Sequence, residues 1–247
     1  MPERTVLITG AAGGIGRATA RLFAQHGWEI ALVDIHSAAL SEARAEIQTY
    51  GRTLAKVCDV SDFRQVQATA AEILREAEKI DVLVNNAGVS QPKPVAELEE
   101  SEWDRTLAVN LKSAFNWSKA LLPAMLSRQS GKIINISSMS AKRGGGPGTV
   151  SKACYAASKA GLLGFTRGLA REVAPHVQVN AICPGLIATP MTGGLLAGAP
   201  DELLSLIPLQ RVGTPEDVAN LIFFLASPGA DYLTGEIIDV NGGMYID

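Results

Sequence analysis

Tyr155 and Lys159 are the pair in this 247-residue chain best suited to moving a proton near neutral pH. A phenol ordinarily titrates near about 10, and an ammonium held beside it favours the phenolate, drawing it toward the range of a general acid/base. Four residues apart, the two share a face if their segment is helical. With four Tyr and nine Lys in the chain, such spacing arises by chance about 0.15 times, so the pair alone specifies nothing. Its surroundings add chemistry. The stretch SMSAKRGGGPGTVSKACYAASK at 138–159 brings a serine hydroxyl, so that a hydroxyl, a phenol and an amine could converge on one carbonyl carbon.

Holding three such groups together needs a scaffold, and the chain alternates short β-rich runs with longer helical patterns. The runs are TVLIT (5–9), EIALVD (29–34), TLAKVC (53–58), DVLVN (81–85), KIINIS (132–137), VQVNAI (177–182) and EIIDV (236–240), which predicts seven strands. Residues 15–26, 38–50, 62–78, 101–128, 153–173 and 215–226 carry apolar spacing near the helical period and good helix formers. Alternation of this kind predicts a doubly wound parallel α/β sheet with helices on both faces and right-handed crossovers. No composition break divides the 247 residues, so one domain over 1–247 is expected. In such sheets ligands bind beyond the carboxyl ends of the strands, so the residues just after each strand matter most.

After the first strand comes TGAAGGIG, where Gly10, Gly14, Ile15 and Gly16 lead straight into a helix. A glycine turn there permits close backbone approach, and the helix N-terminus offers free N–H groups to a pyrophosphate; the plainer reading is a tight strand–helix connection. The second strand ends at Asp34, twenty residues beyond Gly14, the distance at which an acidic residue meets an adenosine ribose 2′-hydroxyl. This favours NAD over NADP, because a 2′-phosphate would meet a like charge worth about 4 kcal/mol at 4 Å and an effective dielectric of 20. Alternatively Asp34 caps the coming helix. Asp59 could accept from an adenine amino group while Val60 packs on the ring, or Asp59 could start the next helix. In NNAG at 85–88, Asn85 and Asn86 face a nucleoside or satisfy buried backbone groups, and Gly88 leaves room for the ligand. Asn110, inside the apolar run TLAVNLKSAF, is either a hydrogen-bonded core amide or a group that interrupts its helix and holds a water near Lys159. Ser137 and Ser138 end the fifth strand, placing a hydroxyl at the ligand edge.

The combination resembles the short-chain dehydrogenase/reductase family along nearly the whole chain. TGAAGGIG resembles its TGxxxGxG turn, NNAG is its motif, and Asn110, Ser138, Tyr155 and Lys159 match its catalytic four. The resemblance implies a Rossmann-type fold, with Tyr155 giving a proton to the carbonyl oxygen during reduction and removing it during oxidation. It implies that Lys159 binds the nicotinamide ribose and lowers the Tyr155 pKa, that Ser138 positions the substrate oxygen, and that Asn110 holds a water linking Lys159 to solvent. Pro184, Gly185, Ile187 and Thr189 resemble the segment that fixes the carboxamide. A homotetramer, with 101–128 and 153–173 packing between subunits, is likewise implied.

One departure is the 17-residue separation of Ser138 and Tyr155, about four more than is usual in the family; the excess falls in KRGGGPGTVSK. This loop could reshape the substrate entrance or bring Lys142, Arg143 or Lys152 to it, or remain a surface loop. It also leaves Ser140 as a rival to Ser138. LAREVA (169–174) and RVGTPEDVA (211–219) are similar to 3-oxoacyl carrier-protein reductases, but polyol, sugar and steroid dehydrogenases of the family share them. Gln129 and His176 stand where carrier-protein reductases tend to place basic residues. The expected activity is therefore NAD(H)-dependent interconversion of a secondary alcohol and a ketone, with 3-oxoacyl reduction or a non-catalytic dinucleotide sensor as alternatives. Residues 189–210 are the expected lid, whose leucines form an apolar substrate wall or pack internally or against a neighbouring subunit.

A net charge of −3, from 22 basic and 25 acidic residues, offers no polycationic face for nucleic acid or anionic membrane. Cys58, Cys154 and Cys183 form no CxxC and no even framework, so reduced thiols in the cytoplasm, and no metal, are expected. Cys154 reads as a small packing residue. The apolar run after Glu3 and Arg4 is too short for a signal peptide. LIFFLA at 221–226 is far too short for a membrane span, and Thr214-Pro215 before it reads as a helix N-cap and first-turn proline.

Overall fold

The computed structural model describes residues 4–145, 151–198 and 200–246. The middle of the expected entrance loop, 146–150, lies outside the described residues, as does Ala199 within the expected lid. Strands β1 (Thr5–Thr9), β2 (Glu29–Asp34), β3 (Thr53–Val57), β4 (Val82–Asn85), β5 (Gly131–Ile136), β6 (Val177–Pro184) and β7 (Ile237–Val240) form one sheet. Its order is β3-β2-β1-β4-β5-β6-β7, and every pairing is parallel. This is the doubly wound Rossmann-type sheet expected from the alternation. The order reverses between β1 and β4, and a crevice opens at such a point beyond the strand ends.

Around the sheet run α1 (Gly14–Gln25), α2 (Ser37–Ile47), α3 (Phe63–Ala77), α4 (Glu100–Leu107), α5 (Ser113–Ser127), α6 (Ser140–Arg143), α7 (Ala153–Val173), α8 (Gly193–Gly198), α9 (Pro200–Ser205) and α10 (Pro215–Ala226). The strands read as continuous apolar runs because both faces are covered. Val6, Ile8, Ile30 and Leu32 pack with Phe23 of α1, Ala43 of α2 and Ile222 of α10. Leu7, Ala31, Val33 and Leu83 point the other way, to Ile73 of α3, Trp117 of α5 and Leu169 of α7. Each large side chain buried in this way stabilises the fold by about 1.5–3 kcal/mol. Thr214 caps α10 ahead of the first-turn Pro215, as the sequence predicts, and Asp217 completes a capping box; α10 buries one face while Phe224 is left exposed.

The predicted 101–128 helix is instead two helices joined by a π-turn at Ala108–Lys112. The cause is Asn110, whose amide bonds outside its own helix. The short helices α6, α8 and α9 were not predicted. At four to six residues (SAKR, GGLLAG and PDELLS) they are too short to show a helical period. Among the described residues, no helix is long and apolar enough to cross a membrane.

Candidate active site

A cleft of about 580 Å³ opens at the carboxyl ends of β1, β4, β5 and β6. Its floor is the glycine turn. Gly10 adopts φ +63°, and a Cβ there would stand 2.9 Å from Ala87 Cα, so both the conformation and the close approach require glycine. The turn is tied to the segment after β4: Asn86 Nδ2 donates to the carbonyls of Thr9 and Gly10 at 2.9 and 3.0 Å. Thr9 Oγ1 accepts from the Asn86 and Ala87 N–H groups at 3.0 and 3.1 Å. Asn86 therefore satisfies buried backbone and lines the cleft at once. Asn85 faces away, donating to Asn135 Oδ1 at 2.9 Å.

Gly14 and Ile15 line the cleft where α1 begins, and no side chain caps that N-terminus. Gly16 lies behind the wall; a Cβ there would come within 2.2 Å of the Gly10 carbonyl. Asp34 sits on the cleft wall, 8% exposed. One carboxylate oxygen accepts from Ala12 N–H of the glycine turn and the other from His36 N–H, both at 3.0 Å. Asp34 thus braces the turn and does not cap the first turn of α2. Asp59 and Val60 also line the cleft. Asp59 accepts from the backbone and hydroxyl of Ser61, and the cap of α3 is Asp62, which accepts from Arg64 and Gln65 N–H. Pro184, Gly185, Ile187 and Thr189 follow β6 along the same wall.

At the other end, α7 brings Tyr155 and Lys159 onto one face. Lys159 is 4% exposed; its ammonium donates to the Ile136 carbonyl at 2.8 Å, and its own carbonyl accepts from Ser137 Oγ at 2.8 Å. The end of β5 therefore grips Lys159 at both side chain and backbone. The Ser138 hydroxyl stands near enough to the Tyr155 phenol to act on its titration. Ser140 turns its hydroxyl to Ser151 at 3.0 Å and donates its N–H to Ser138 Oγ at 3.1 Å, so of the two serines Ser138 is the one whose hydroxyl acts on the phenol.

Asn110 is 1% exposed and stands behind the cleft. Its Oδ1 accepts from Val89 N–H at 2.8 Å, and its Nδ2 donates to the Val89 carbonyl and to Ser158 Oγ. Asn110 is thus a hydrogen-bonded core amide, and it also lies in the widened turn that interrupts its helix. A Cβ on Gly88 would stand 3.3 Å from Asn110 Oδ1 and 3.4 Å from the Lys159 ammonium, so Gly88 lets these two groups flank one spot.

The electrostatics differ from what the Tyr–Lys pair predicts. Burial pushes the Tyr155 phenol above its ordinary value, the Ser138 hydroxyl offsets this in part, and the nearby Cys183 adds to the rise. Burial brings Lys159 down to about 8. The expected lowering of the phenol is absent because the ammonium stands 5.9 Å from the Tyr155 ring centre and is directed at the Ile136 carbonyl. Removal from water then outweighs the attraction between the two charges.

His36, Thr9 and Met244 are site residues that sequence reasoning missed. His36 and Met244 line the cleft just beyond β2 and β7, so the strand-end rule applied to every strand would find them. Thr9 is the last residue of β1, where a hydroxyl inside an apolar run is the signal.

Comparison with known proteins agrees with this geometry. The profile of the family described as enoyl-(acyl carrier protein) reductase matches residues 10–245. The chain is 41% identical over 245 residues to a 3-oxoacyl-[acyl-carrier-protein] reductase of Thermotoga maritima, covering 98% of each protein. It is 40% identical to an uncharacterized short-chain type dehydrogenase/reductase of Sinorhizobium fredii, again over 98% of each. Among solved structures, a short-chain dehydrogenase/reductase (glucose/ribitol dehydrogenase) from Brucella melitensis superposes with a TM-score of 0.92 at 39% identity, covering 99% of this chain and 97% of that one. A levodione reductase gives 0.90 at 32% identity, covering 97% and 96%. The chain belongs to the short-chain dehydrogenase/reductase family. It is an oxidoreductase of carbonyl and CH–OH groups that works with a nicotinamide dinucleotide.

Proposed function

We propose that this enzyme interconverts a secondary alcohol and a ketone using NAD(H), with Tyr155 as general acid/base. The observation that carries the proposal is the convergence of Ser138, Tyr155 and Lys159 on one cleft whose other end is a glycine cradle. That cradle fits a dinucleotide: a Cβ on Gly14 would stand 3.4 Å from Thr189 Cγ2 on the facing wall, so glycine keeps the cleft open there, and the uncapped start of α1 suits a pyrophosphate. Gly14, Ile15, Asp34, Asp59, Val60 and Asn86 would hold its adenosine half, and Gly88, Pro184, Gly185, Ile187 and Thr189 its nicotinamide half. Bound there, the nicotinamide accepts or supplies the hydride.

In oxidation, Tyr155 takes the substrate hydroxyl proton; in reduction, it gives one to the carbonyl oxygen. Ser138 holds the same oxygen by a second hydrogen bond, which fixes it against the phenol. Lys159, with its pKa brought to about 8, is mostly charged at pH 7. Anchored on the Ile136 carbonyl, it would hold the nicotinamide ribose. Asn110 fixes the Val89 turn and holds a water that links Lys159 to solvent. Residues 189–210 act as the lid over a small-molecule substrate, and the enzyme works as a cytoplasmic homotetramer with neither nucleic acid nor membrane as partner.

The preference for NAD(H) over NADP(H) is supported by the Asp34 carboxylate on the adenosine wall. Arg17, the nearest cation along α1, is bound to Glu46 at 2.6 Å and leaves that carboxylate uncompensated. We expect Asp34→Ala to raise the NADP(H):NAD(H) ratio of kcat/KM at least tenfold, and an unchanged ratio would remove Asp34 from cofactor choice. A second reading, reduction of 3-oxoacyl thioesters, is favoured by the names of relatives from Thermotoga maritima and Staphylococcus aureus. Following NADH absorbance with secondary alcohols, polyols, ketones and 3-oxoacyl thioesters separates the two.

A further inference from the structure

Arg105 and Arg143 are cleft residues that the proposed reaction leaves unused. Arg105 lies on α4, which follows β4, and Arg143 ends α6, which follows β5. Both line the cleft that contains Tyr155 and Lys159, and both are exposed. Neither is ion-paired with an acid among the described residues. The adjoining cation behaves differently, since Lys142 is held by Asp239 at 2.7 Å.

Charge is unevenly distributed along the cleft. Its carboxylates, Asp34 and Asp59, stand at the ends of β2 and β3, on the far side of β1 from the strands that carry Ser138. Both already accept backbone N–H bonds. The substrate end therefore carries two guanidinium groups and Lys159 with no described carboxylate beside them on the cleft wall. Met191, Leu195, Leu206 and Met244 supply apolar lining. A solvated surface arginine needs no such arrangement. A cleft with apolar walls and cations of one sign concentrates anions and strengthens their pairing, and a guanidinium fork matches the oxygens of carboxylate or phosphate.

We propose that Arg143, assisted by Arg105, is an anion-binding subsite, and that the substrate is a carbonyl compound joining an apolar body to an oxyanion group. This rests on the reading of Tyr155 and Lys159 as the carbonyl site. The anion has two chemical sources, the carboxylate of an oxo acid or the phosphate of a thioester carrier.

Matched pairs separate these sources in the full-length enzyme: 4-oxononanoate against its methyl ester, and a 3-oxoacyl-CoA against the uncharged N-acetylcysteamine thioester. With NADH, we expect at least a tenfold higher kcat/KM for the charged member of one pair. Arg143→Gln should bring that ratio close to one, and Arg143→Lys should retain part of it, with NADH binding confirming that each variant is folded. Equal efficiency within both pairs, or a ratio unmoved in the Arg105→Gln/Arg143→Gln double variant, overturns the subsite while leaving the carbonyl reaction standing. Turnover of no carbonyl compound sinks the proposed function instead. Calorimetry of 4-oxononanoate with the NADH-bound protein then still decides the subsite: binding that Arg143→Gln weakens tenfold supports it, and binding indifferent to that change overturns it.

Discussion

Around Gly10 and Asn86 the cleft wall is backbone tied to backbone, whereas around Ser138, Arg143 and Met191 it is side chains carried on short, irregular segments. In the first region every tie depends on a close approach or a fixed N–H direction, so few residue types serve. Thr9, Asn86 and Asp34 all spend their polar atoms on main-chain groups of the glycine turn or the segments beside it. In the second region shape comes from what projects from α6, α8 and the chain after β7, where many sequences serve equally well. The contrast fits the proposed division of the cleft: the end proposed for the dinucleotide is constrained by geometry, the end proposed for the substrate by side-chain chemistry alone.

Substitutions can break that contrast. The largest effect is expected behind the dinucleotide wall. Gly16→Ala forces a methyl to within 2.2 Å of the Gly10 carbonyl, and the turn must move, costing about 3 kcal/mol or more. Urea unfolding and NADH fluorescence should show stability and cofactor binding falling together; a stable variant with unchanged NADH affinity would mean that the turn is not rigid.

Lys159 lies where the two regions meet, and its burial has a consequence for stability. Its folded pKa of about 8 lies below the unfolded value of about 10.4. Below pH 8 both states hold the proton and the full penalty of the buried charge is present. Between pH 8 and 10.4 the unfolded state binds more protons, so stability rises with pH. Relative to Lys159→Met, the wild type should gain about 3 kcal/mol across that interval. Parallel curves from denaturant unfolding at several pH values would contradict the depressed pKa. The rise in the Tyr155 phenol acts only above its ordinary value of about 10 and in the opposite sense, so the lower part of the window reports Lys159.

A smaller loss is expected at Asn110. Its replacement by Ala leaves the Val89 N–H and carbonyl without their partners, costing about 2 kcal/mol. Because these bonds hold the turn beside Gly88, kcat should fall while NADH affinity changes little. Equal losses in both would place Asn110 among purely structural residues.

Much of this molecule is legible in its sequence, for physical reasons that also mark where reading fails. Strands buried on both faces announce themselves as apolar runs, and the ends of β1 and β2 match the observed boundaries to the residue. The 101–128 segment reads as one continuous helix because a π-turn keeps helical periodicity on either side, although Asn110 in an apolar run marks the break. Asp34 was visible as a strand-end acid, but its bond to Ala12 N–H was not, since that contact depends on how the glycine turn folds back over β2. The direction of the Tyr155 shift could not be read at all: spacing supplies the neighbour, while burial, which decides the sign, is a property of the assembled fold. Arg143 was one of three loop cations in the sequence, and only its place on the cleft, beside a Lys142 already paired with Asp239, distinguishes it.

The most direct measurement compares wild type with Tyr155→Phe, following both NADH binding by fluorescence and turnover by NADH absorbance on whichever alcohol or ketone proves best. Removing only the phenolic oxygen should lower kcat by at least about a thousandfold, within the range general acid–base catalysis supplies, while NADH affinity stays within about twofold of wild type. Appreciable turnover in the variant would remove Tyr155 from the proton transfer and contradict the mechanism.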